Sequence, residues 1–370
     1  MLVGLEPARG GGEDDGILIS VMGQTIRLTF GEGLSPEFEA AVQETWAGAV
    51  VPSGVPDEII ELSEPGDQER FLEGLSTRVT LAGLAKHKGE MLTFHAAGLA
   101  LEDGRVVAFV GPSGRGKTTV SRTLGQCFGY VSDETITVDA SGRVYPYRKP
   151  LSLVRQGAPK RQVSPSEAGL MSLPDCPLQL VSLVLLDRVE DVVAPSIESL
   201  PLIDGMLGLL PEMSYMSSFE DPLVRLATLC DRVGGVKKLT YSDVSQLDRG
   251  VLEELADASA EGEPWQRVHA MVAAPGDYEM ADVLDAVQCG NGVIVINDQK
   301  IRVLSGIAPV IWAEVRKGTS LERIIDAVVA VFGEPAEGEA ADLVRVAVDS
   351  LIEAELLRVV EPAPARGNAE

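Results

Sequence analysis

The sequence feature that most constrains this fold is a glycine-rich octapeptide between an apolar segment and a helix-forming one. The run from Arg105 to Val110 is apolar and rich in valine, which favours a buried strand, and Lys117 to Phe128 can form a helix. The octapeptide fits the pattern G-x-x-x-x-G-K-[ST], whose backbone amides surround a polyphosphate at a helix N-terminus. Its lysine adds a point charge and its hydroxyl can bind Mg²⁺. The predicted site comprises Gly111, Pro112, Ser113, Gly114, Arg115, Gly116, Lys117, Thr118 and the next residue, Thr119.

A pair of carboxylates follows the predicted helix. The segment from Gly129 to Asp139 favours a strand and contains Asp133 and Glu134. In a parallel sheet we expect this strand beside the one that feeds the loop, so its end would open onto the same crevice. One carboxylate could bind Mg²⁺ together with Thr118, and the other could accept a proton from an attacking hydroxyl. A solvated strand end is the alternative interpretation of such a pair.

A histidine lies in the strand that precedes the loop. His95 belongs to the apolar run Leu92 to Leu101, which leads into the hairpin turn Asp103-Gly104. A single histidine on an apolar strand is more often a core side chain than a functional one. The pattern alone therefore favours a structural His95.

The local charge becomes basic after the carboxylates. No acidic residue occurs from Ala140 to Ser166, although the chain has 56 acidic residues. The segment is either a solvated loop or the place where Arg148, Lys149 and Arg155 face a phosphate. The second interpretation is favoured, because an acidic protein needs a local positive charge to hold an anion. The basic residues of this segment are Arg143, Arg148, Lys149, Arg155, Lys160 and Arg161.

A second apolar run ends in an acid. Leu178 to Asp187 is continuous enough for a fully buried strand. Asp187 could serve as a Walker B carboxylate, or it could form an ion pair with Arg188 at the sheet edge. The sequence pattern fits both interpretations equally well.

Composition excludes several classes of partner. The chain has 370 residues, enough for two or three domains, and a net charge of −25, which argues against general binding to nucleic acids or anionic membranes. It has no apolar stretch of about 20 residues and no N-terminal signal pattern, so a cytoplasmic protein is expected. Its four cysteines show no C-x-x-C spacing and predict neither a metal site nor a disulfide framework.

The last part of the chain has a different pattern. After an acidic, proline-terminated linker, the runs Gly292 to Asn297 and Lys300 to Leu304 predict a hairpin. Three helices are expected, over Ile307 to Arg316, Ser320 to Phe332 and Ala340 to Leu356. This is the size of a winged-helix module, and its excess of acidic residues argues against DNA as its ligand.

Three blocks of the first part, in this order, resemble the HPr kinase/phosphorylase family and related kinases. They are the Phe94 to Gly98 strand, the loop, and Val131 to Thr135; Tyr145 to Ser152 is similar to a proline-and-basic segment of the related kinases. The resemblance implies an α/β P-loop kinase over residues 16–256 with a β-rich N-terminal accessory layer, using ATP and Mg²⁺. It implies that Asp133 is the general base and brings His95 near the phosphates. Glu134 stands where that family usually has Asp, and no copy of the family's phosphorolysis segment is found, so dephosphorylation is not expected.

Residues 276–362 resemble the PqqD family of winged-helix α+β domains, which hold precursor peptides of ribosomally made natural products. The resemblance rests on Tyr278 to Val287, the hairpin, Leu304 to Trp312 and Gly318 to Ile325. It implies that a peptide adds as a strand to the edge Lys300 to Leu304 and packs on the helix Leu343 to Leu356. Packing on the kinase or dimerisation is the alternative role of this domain.

Together these patterns predict a serine kinase of a precursor peptide, with His95, Lys117, Asp133, Arg148 and Lys149 as catalytic residues. Residues 1–15 and 363–370 are expected to be flexible, and 257–275 to be a linker. The alternatives are a regulatory kinase of a carrier protein or small metabolite, and a non-catalytic ATP-binding peptide chaperone. A homo-oligomer is compatible with the sequence.

Overall fold

The computed structural model describes residues 16–360 except 64, 113, 156, 258–261, 269–275 and 299. In this part the chain is a mixed α/β protein with nine α-helices, a central eight-stranded mixed sheet and four smaller sheets. The strands are β1 Gly16–Val21, β2 Gln24–Phe30, β3 Glu58–Leu62, β4 Leu92–Ala100, β5 Arg105–Val110, β6 Gly129–Ser132, β7 Thr135–Val138, β8 Val144–Tyr145, β9 Leu151–Arg155, β10 Ala158–Val163, β11 Gln179–Arg188, β12 Ser196–Leu200, β13 Val236–Tyr241, β14 Trp265–Arg267, β15 Tyr278–Met280, β16 Asp285–Cys289, β17 Gly292–Asn297, β18 Lys300–Leu304 and β19 Leu357–Val359. The helices are α1 Pro36–Trp46, α2 Gln68–Lys86, α3 Lys117–Leu124, α4 Leu202–Leu209, α5 Pro222–Arg232, α6 Arg249–Ala256, α7 Ala308–Val315, α8 Leu321–Phe332 and α9 Ala340–Glu353.

The described residues divide into two compact units. The first comprises residues 16–199, 208–214 and 236–257, and the second comprises 200–207, 215–235 and 262–360. This division differs from the predicted domain boundaries, because 200–207 and 215–235 fall in the second unit. Among the described residues, no helix is long and apolar enough to cross a membrane.

The N-terminal accessory layer of the first unit has its own core. Strands β1 and β2 form the predicted hairpin, and Met22 and Gly23 at its turn both have positive φ, as a tight two-residue turn requires. β3 adds in parallel to β2, and α1 begins after Ser35, whose hydroxyl accepts from the amide of Phe38. Fully buried side chains of these elements pack with those of α2, so this layer does not depend on the glycine-rich loop for its hydrophobic burial.

The central sheet has a parallel half and an antiparallel half, which meet at the strand before the loop. β5 pairs in parallel with β11, which pairs in parallel with β13, and on its other side β5 pairs antiparallel with β4. β6 and β7 pair antiparallel with successive parts of β4. Apolar side chains of α3 and α6 pack against β5, β11 and β13. The glycine-rich loop therefore begins at the end of an interior strand, β5, in the middle of the sheet.

Two sequence predictions about this sheet are wrong. The segment 129–139 is not one strand, because it breaks between β6 and β7 at Asp133 and Glu134. It also does not lie beside β5, since β4 runs between them. In addition α3 ends at Leu124, one turn earlier than predicted, and Gly125 follows it. Tertiary pairing with β4 decides these features, and the local pattern carries no signal for it.

The second unit contains the predicted hairpin β17–β18 and three helices. Its four-stranded sheet has the order β14-β16-β17-β18, and β15 pairs with β19 separately. The hairpin bounds agree with the prediction, and α7, α8 and α9 lie within the predicted helical ranges. The described part of the predicted linker contains β14, which pairs with β16. One apolar core joins β17 to the three helices, with Trp312 buried in it.

Candidate functional site

The glycine-rich loop (residues 111–118) connects β5 directly to α3. Gly114 and Gly116 have φ values of 87° and 100°, in the region that side chains rarely adopt. A Cβ on Gly116 would lie 2.5 Å from the hydroxyl of Tyr241, which itself donates to the carbonyl of Arg115 at 3.0 Å. No side chain caps the N-terminus of α3. The first amides of this helix are therefore not engaged by a capping side chain, as a helix N-terminus that binds an anion requires.

The side chain of Lys117 folds back over the loop and is hydrogen-bonded to its carbonyl groups. Its ammonium donates to the carbonyl of Gly111 and, at 3.3 Å, to that of Pro112, and the side chain is buried. Burial lowers its pKa, while Glu212, Glu134 and Asp133 act in the opposite direction. A positive charge thus lies at the mouth of the loop, with carboxylates within electrostatic range.

The break between β6 and β7 places two carboxylates beside a buried lysine. The ammonium of Lys149 lies 2.7 Å from Oε2 of Glu134, and the hydroxyl of Tyr130 donates to Oδ1 of Asp133 at 3.1 Å. Burial raises the pKa of Asp133, with Lys149 opposing it. Burial also disfavours ionisation of Glu134, but the charge and hydrogen bond of Lys149, helped by His95 and Lys160, outweigh it and lower the pKa of Glu134. Glu134 is therefore the ionised partner of Lys149, while burial makes Asp133 more basic than an exposed aspartate.

His95 lies between the loop and the carboxylates. On β4, Ala96 is opposite Val110, so His95 is level with the first residue of the loop. On its other side His95 is opposite Thr135, and the amide of Ala96 donates to the carbonyl of Glu134 at 3.0 Å. Burial and the charge of Lys117 lower the pKa of His95. Its imidazole is accordingly neutral at pH 7.

These groups surround one cavity of about 380 Å³. Strands are about 4.8 Å apart, so the two-strand separation of β6 from β5 puts the carboxylates about 10 Å from the loop, which suits a phosphate chain between them. The predicted site residues that line the cavity are His95, Gly114, Gly116, Lys117, Thr118, Thr119, Asp133, Glu134 and Lys149. Three lining residues were not in the predicted site, namely Ser152, Lys160 and Arg188.

Other predicted site residues are placed differently. Arg148 does not line the cavity; its guanidinium donates to the carbonyls of Tyr130 and Met171 at 3.1 and 3.0 Å. Gly111, Pro112 and Arg115 are not among the residues that line the cavity, and Ser113 is outside the described residues. The basic segment gave no signal to separate Arg148 from Lys149, because only the fold decides which side chain faces the crevice.

Asp187 lies at the end of β11, next to the loop strand. It pairs with Arg115 at 3.7 Å, whereas Nε of the neighbouring Arg188 donates to the carbonyl of Ser242 at 3.0 Å. β11 is an interior strand, so Asp187 is not at a sheet edge. Its carboxylate pairs with a residue of the loop and is not among the residues that line the cavity.

A larger cavity of about 850 Å³ lies at the opposite end of β4 and β5, around the Asp103 turn. Its charged side chains are exposed; Asp103 pairs with Arg105 at 2.8 Å, and Arg249 pairs with Glu253 at 3.3 Å. No buried ionisable side chain lines it. Functional groups are usually buried and electrostatically perturbed, so the smaller cavity is the better candidate despite its size.

The second unit presents a strand edge and an apolar helix surface. Within the described residues β18 pairs only with β17, so its other edge is unpaired there. Lys300 and Arg302 on β18 lie 3.5 and 3.6 Å from Glu355, just beyond the C-terminus of α9. Leu343 and Val346 on α9 are exposed by 50% and 65%. A strand edge near a helix with exposed apolar side chains is suited to an extended peptide.

No protein-family model matches the chain. We therefore take the chemistry of the site from its own geometry. A glycine-rich loop at a helix N-terminus, a histidine, the buried Asp133, and the half-buried Glu134 with its lysine all face one cavity.

Proposed function

We propose that this protein is an ATP-dependent P-loop kinase that phosphorylates a hydroxyl, most simply that of serine, on a peptide recruited by its C-terminal unit. The observation that carries the proposal is that Lys117 and Asp133, from separate elements, line the same cavity as the loop glycines. A pair of carboxylates facing the loop can supply both a ligand for Mg²⁺ and a base for the acceptor hydroxyl. The order of the three blocks, similar to the HPr kinase family, supports the same chemistry.

The reaction is an in-line phosphoryl transfer. The bond between the γ-phosphorus and its bridging oxygen breaks, and ADP leaves with that electron pair. The acceptor oxygen forms the new bond to phosphorus, and Asp133 takes the proton of the acceptor hydroxyl. Burial makes Asp133 more basic, and the hydroxyl of Tyr130 occupies its Oδ1. Lys117 and the α3 amides hold the charge of the phosphates.

The residues present fit a Mg²⁺ ion bound together with phosphates. Among the described residues no group of three or more His, Cys, Asp or Glu could hold a metal by itself. Thr118, Asp133 and Glu134 nevertheless line one cavity, and Mg²⁺ commonly uses one or two carboxylates and completes its shell with phosphates and water. When bound, the ion would neutralise phosphate charge. Because Asp133 is assigned the proton transfer, Thr118 and Glu134 are the better ligands, with the ammonium of Lys149 beside Glu134 at 2.7 Å.

Peptide recruitment is assigned to the second unit. The free edge of β18 would add the peptide as a strand, and Leu343 and Val346 on α9 would contact its apolar side chains. The similarity of residues 276–362 to the PqqD family supports this role.

The proposal is tested with γ-labelled ATP and an arrayed library of serine-containing peptides. The wild-type protein should transfer label to a subset of peptides, and Lys117→Ala or Asp133→Asn should reduce transfer by about 100-fold or more, the scale of a lost general base or charge. Arg122→Ala, on the same helix as Lys117 but absent from the cavity lining, serves as a control that keeps the rate. Binding of both ATP and peptide without labelled peptide would instead make the protein a nucleotide-dependent chaperone, and label on a metabolite alone would refute peptide kinase activity.

A further inference from the structure

Four cationic side chains line the cavity, and three of them are engaged within the fold. Lys117 is held by loop carbonyls, Lys149 lies 2.7 Å from Glu134, and Arg188 donates to the carbonyl of Ser242. Lys160 differs. Its ammonium lies 3.9 Å from Glu73, a long ion pair, and its side chain is 50% exposed. An exposed pair at this distance stabilises little, so an anion of higher charge can compete for Lys160.

Lys160 reaches the cavity from a separate two-stranded sheet. Strands β9 and β10 pair antiparallel, with Ser152 opposite Gln162. The pairing is irregular between Ala158 and Arg161, so Lys160 lies in a bulge, where a side chain can leave the regular alternation of the strand. Lys160 and Ser152 both line the cavity, whereas the other hairpin residues bearing charge do not. The hairpin thus forms one wall of the cavity, and Lys160 is the charged residue of this wall.

Helix α2 of the accessory layer holds the hairpin from outside the cavity. Glu73 on this helix pairs with Lys160, and Glu69 one turn earlier pairs with Arg155 at 2.5 Å. The two pairs have similar exposure, but only Lys160 faces the cavity. Arg155 was the residue that the basic segment had suggested for phosphate. It is instead a matched reference for Lys160, on the same hairpin and with the same kind of partner.

We propose that Lys160 leaves Glu73 during transfer and binds the phosphoryl group, where its ammonium contacts the equatorial oxygens of the phosphorus. This assignment rests on the proposed kinase function. In such a transition state the charge is spread over these oxygens, and a cation aimed at them stabilises it more than the ground state. Its field already reaches the carboxylate side of the cavity, since Lys160 contributes to the lowered pKa of Glu134. Lys160 is therefore a catalytic residue, and its pair with Glu73 is the resting position that it leaves.

The test needs no knowledge of the acceptor. Calorimetry measures the affinity of the full-length protein for Mg-ADP alone and for Mg-ADP with fluoroaluminate. Fluoroaluminate mimics the phosphoryl group in the transition state of transfer. For the wild type, fluoroaluminate should tighten Mg-ADP binding by at least about 100-fold, in the range of transition-state analogues. Lys160→Ala should leave the affinity for Mg-ADP within about twofold and remove at least about tenfold of the tightening. Arg155→Ala should behave as the wild type, and Lys160→Arg should restore part of the effect.

The possible failures are distinguishable. If the wild type does not bind Mg-ADP, the proposed kinase function fails. If it binds Mg-ADP and fluoroaluminate adds nothing, or Lys160→Ala keeps the full tightening, the role of Lys160 is refuted while nucleotide binding stands. Equal losses in Lys160→Ala and Arg155→Ala would also refute it, because they would indicate disturbance of the hairpin. Thermal denaturation of each variant verifies folding, and Glu73→Gln, which keeps Lys160, should retain the tightening.

Discussion

Replacement of Gly116 by alanine should destabilise the first unit more than the same replacement at Gly114. Both glycines have positive φ, so alanine at either position adopts a left-handed backbone at a cost of about 1–2 kcal/mol. A gain of about 0.4–1 kcal/mol from the stiffer unfolded chain partly offsets this cost. Around Gly114 a new Cβ meets nothing within 4 Å. We therefore expect Gly114→Ala to lower the free energy of unfolding by about 0–1.6 kcal/mol.

Gly116 carries an additional steric cost. Its Cβ would lie 2.5 Å from the hydroxyl oxygen of Tyr241, a buried ring that packs beside α3 and cannot move freely. Overpacking of this kind costs about 1–3 kcal/mol, so with the backbone cost Gly116→Ala should lower the free energy of unfolding by about 1–4.6 kcal/mol. It should also weaken Mg-ATP binding, because the loop must shift to relieve the contact.

A double-mutant cycle isolates the steric contribution. Tyr241→Phe removes the oxygen, and in that background Gly116→Ala should cost no more than Gly114→Ala does. Urea denaturation followed by circular dichroism gives the free energies, and calorimetry gives the nucleotide affinity. Additivity within about 0.5 kcal/mol for Gly116→Ala and Tyr241→Phe would refute the reasoning, since independent sites add to that accuracy.

Three further perturbations follow from the structure. Lys149→Met removes the cation beside Asp133 and Glu134 and should lower the free energy of unfolding at pH 7 by about 1–3 kcal/mol. The loss is smaller than for a fully buried ion pair because Glu134 is partly exposed. Urea denaturation measures it, and adding Glu134→Gln should recover part of the loss. Leu343→Asp on the exposed surface of α9 should reduce label transfer to peptides by about tenfold at low peptide concentration. Thermal stability and Mg-ATP affinity should stay unchanged, because the side chain is exposed. An equal loss of nucleotide affinity would contradict the peptide role. Burial lowers the pKa of His87 from 6.5, so the stability that neutral His87 contributes is present above pH 6.5 and is lost as the pH falls towards its folded pKa. His87→Gln should flatten the pH dependence of urea unfolding below pH 6.5 by up to about 1.4 kcal/mol per pH unit, and an unchanged slope would show that other groups cause it.

The local elements could be predicted because their signals are short-range. β5 and the hairpin β17–β18 have the predicted bounds, since apolar runs and turn residues identify such strands. The loop glycines also agree with their pattern, as Gly114 and Gly116 both adopt positive φ. Lys117, Asp133 and Lys149 were candidates for the same reason, because their residue types and chain positions suit phosphate chemistry.

The arrangement of the site was not encoded in any one segment. Local sequence signals encode a glycine-rich loop between a strand and a helix and a carboxylate pair downstream of it. The tertiary structure decided that β4 separates them, that Arg148 turns to backbone carbonyls, and that Lys160 enters the cavity from a hairpin held by α2. The physical reason is that local conformation depends on neighbours in the chain, whereas the direction of a side chain into a crevice depends on which distant strands pair and in which register.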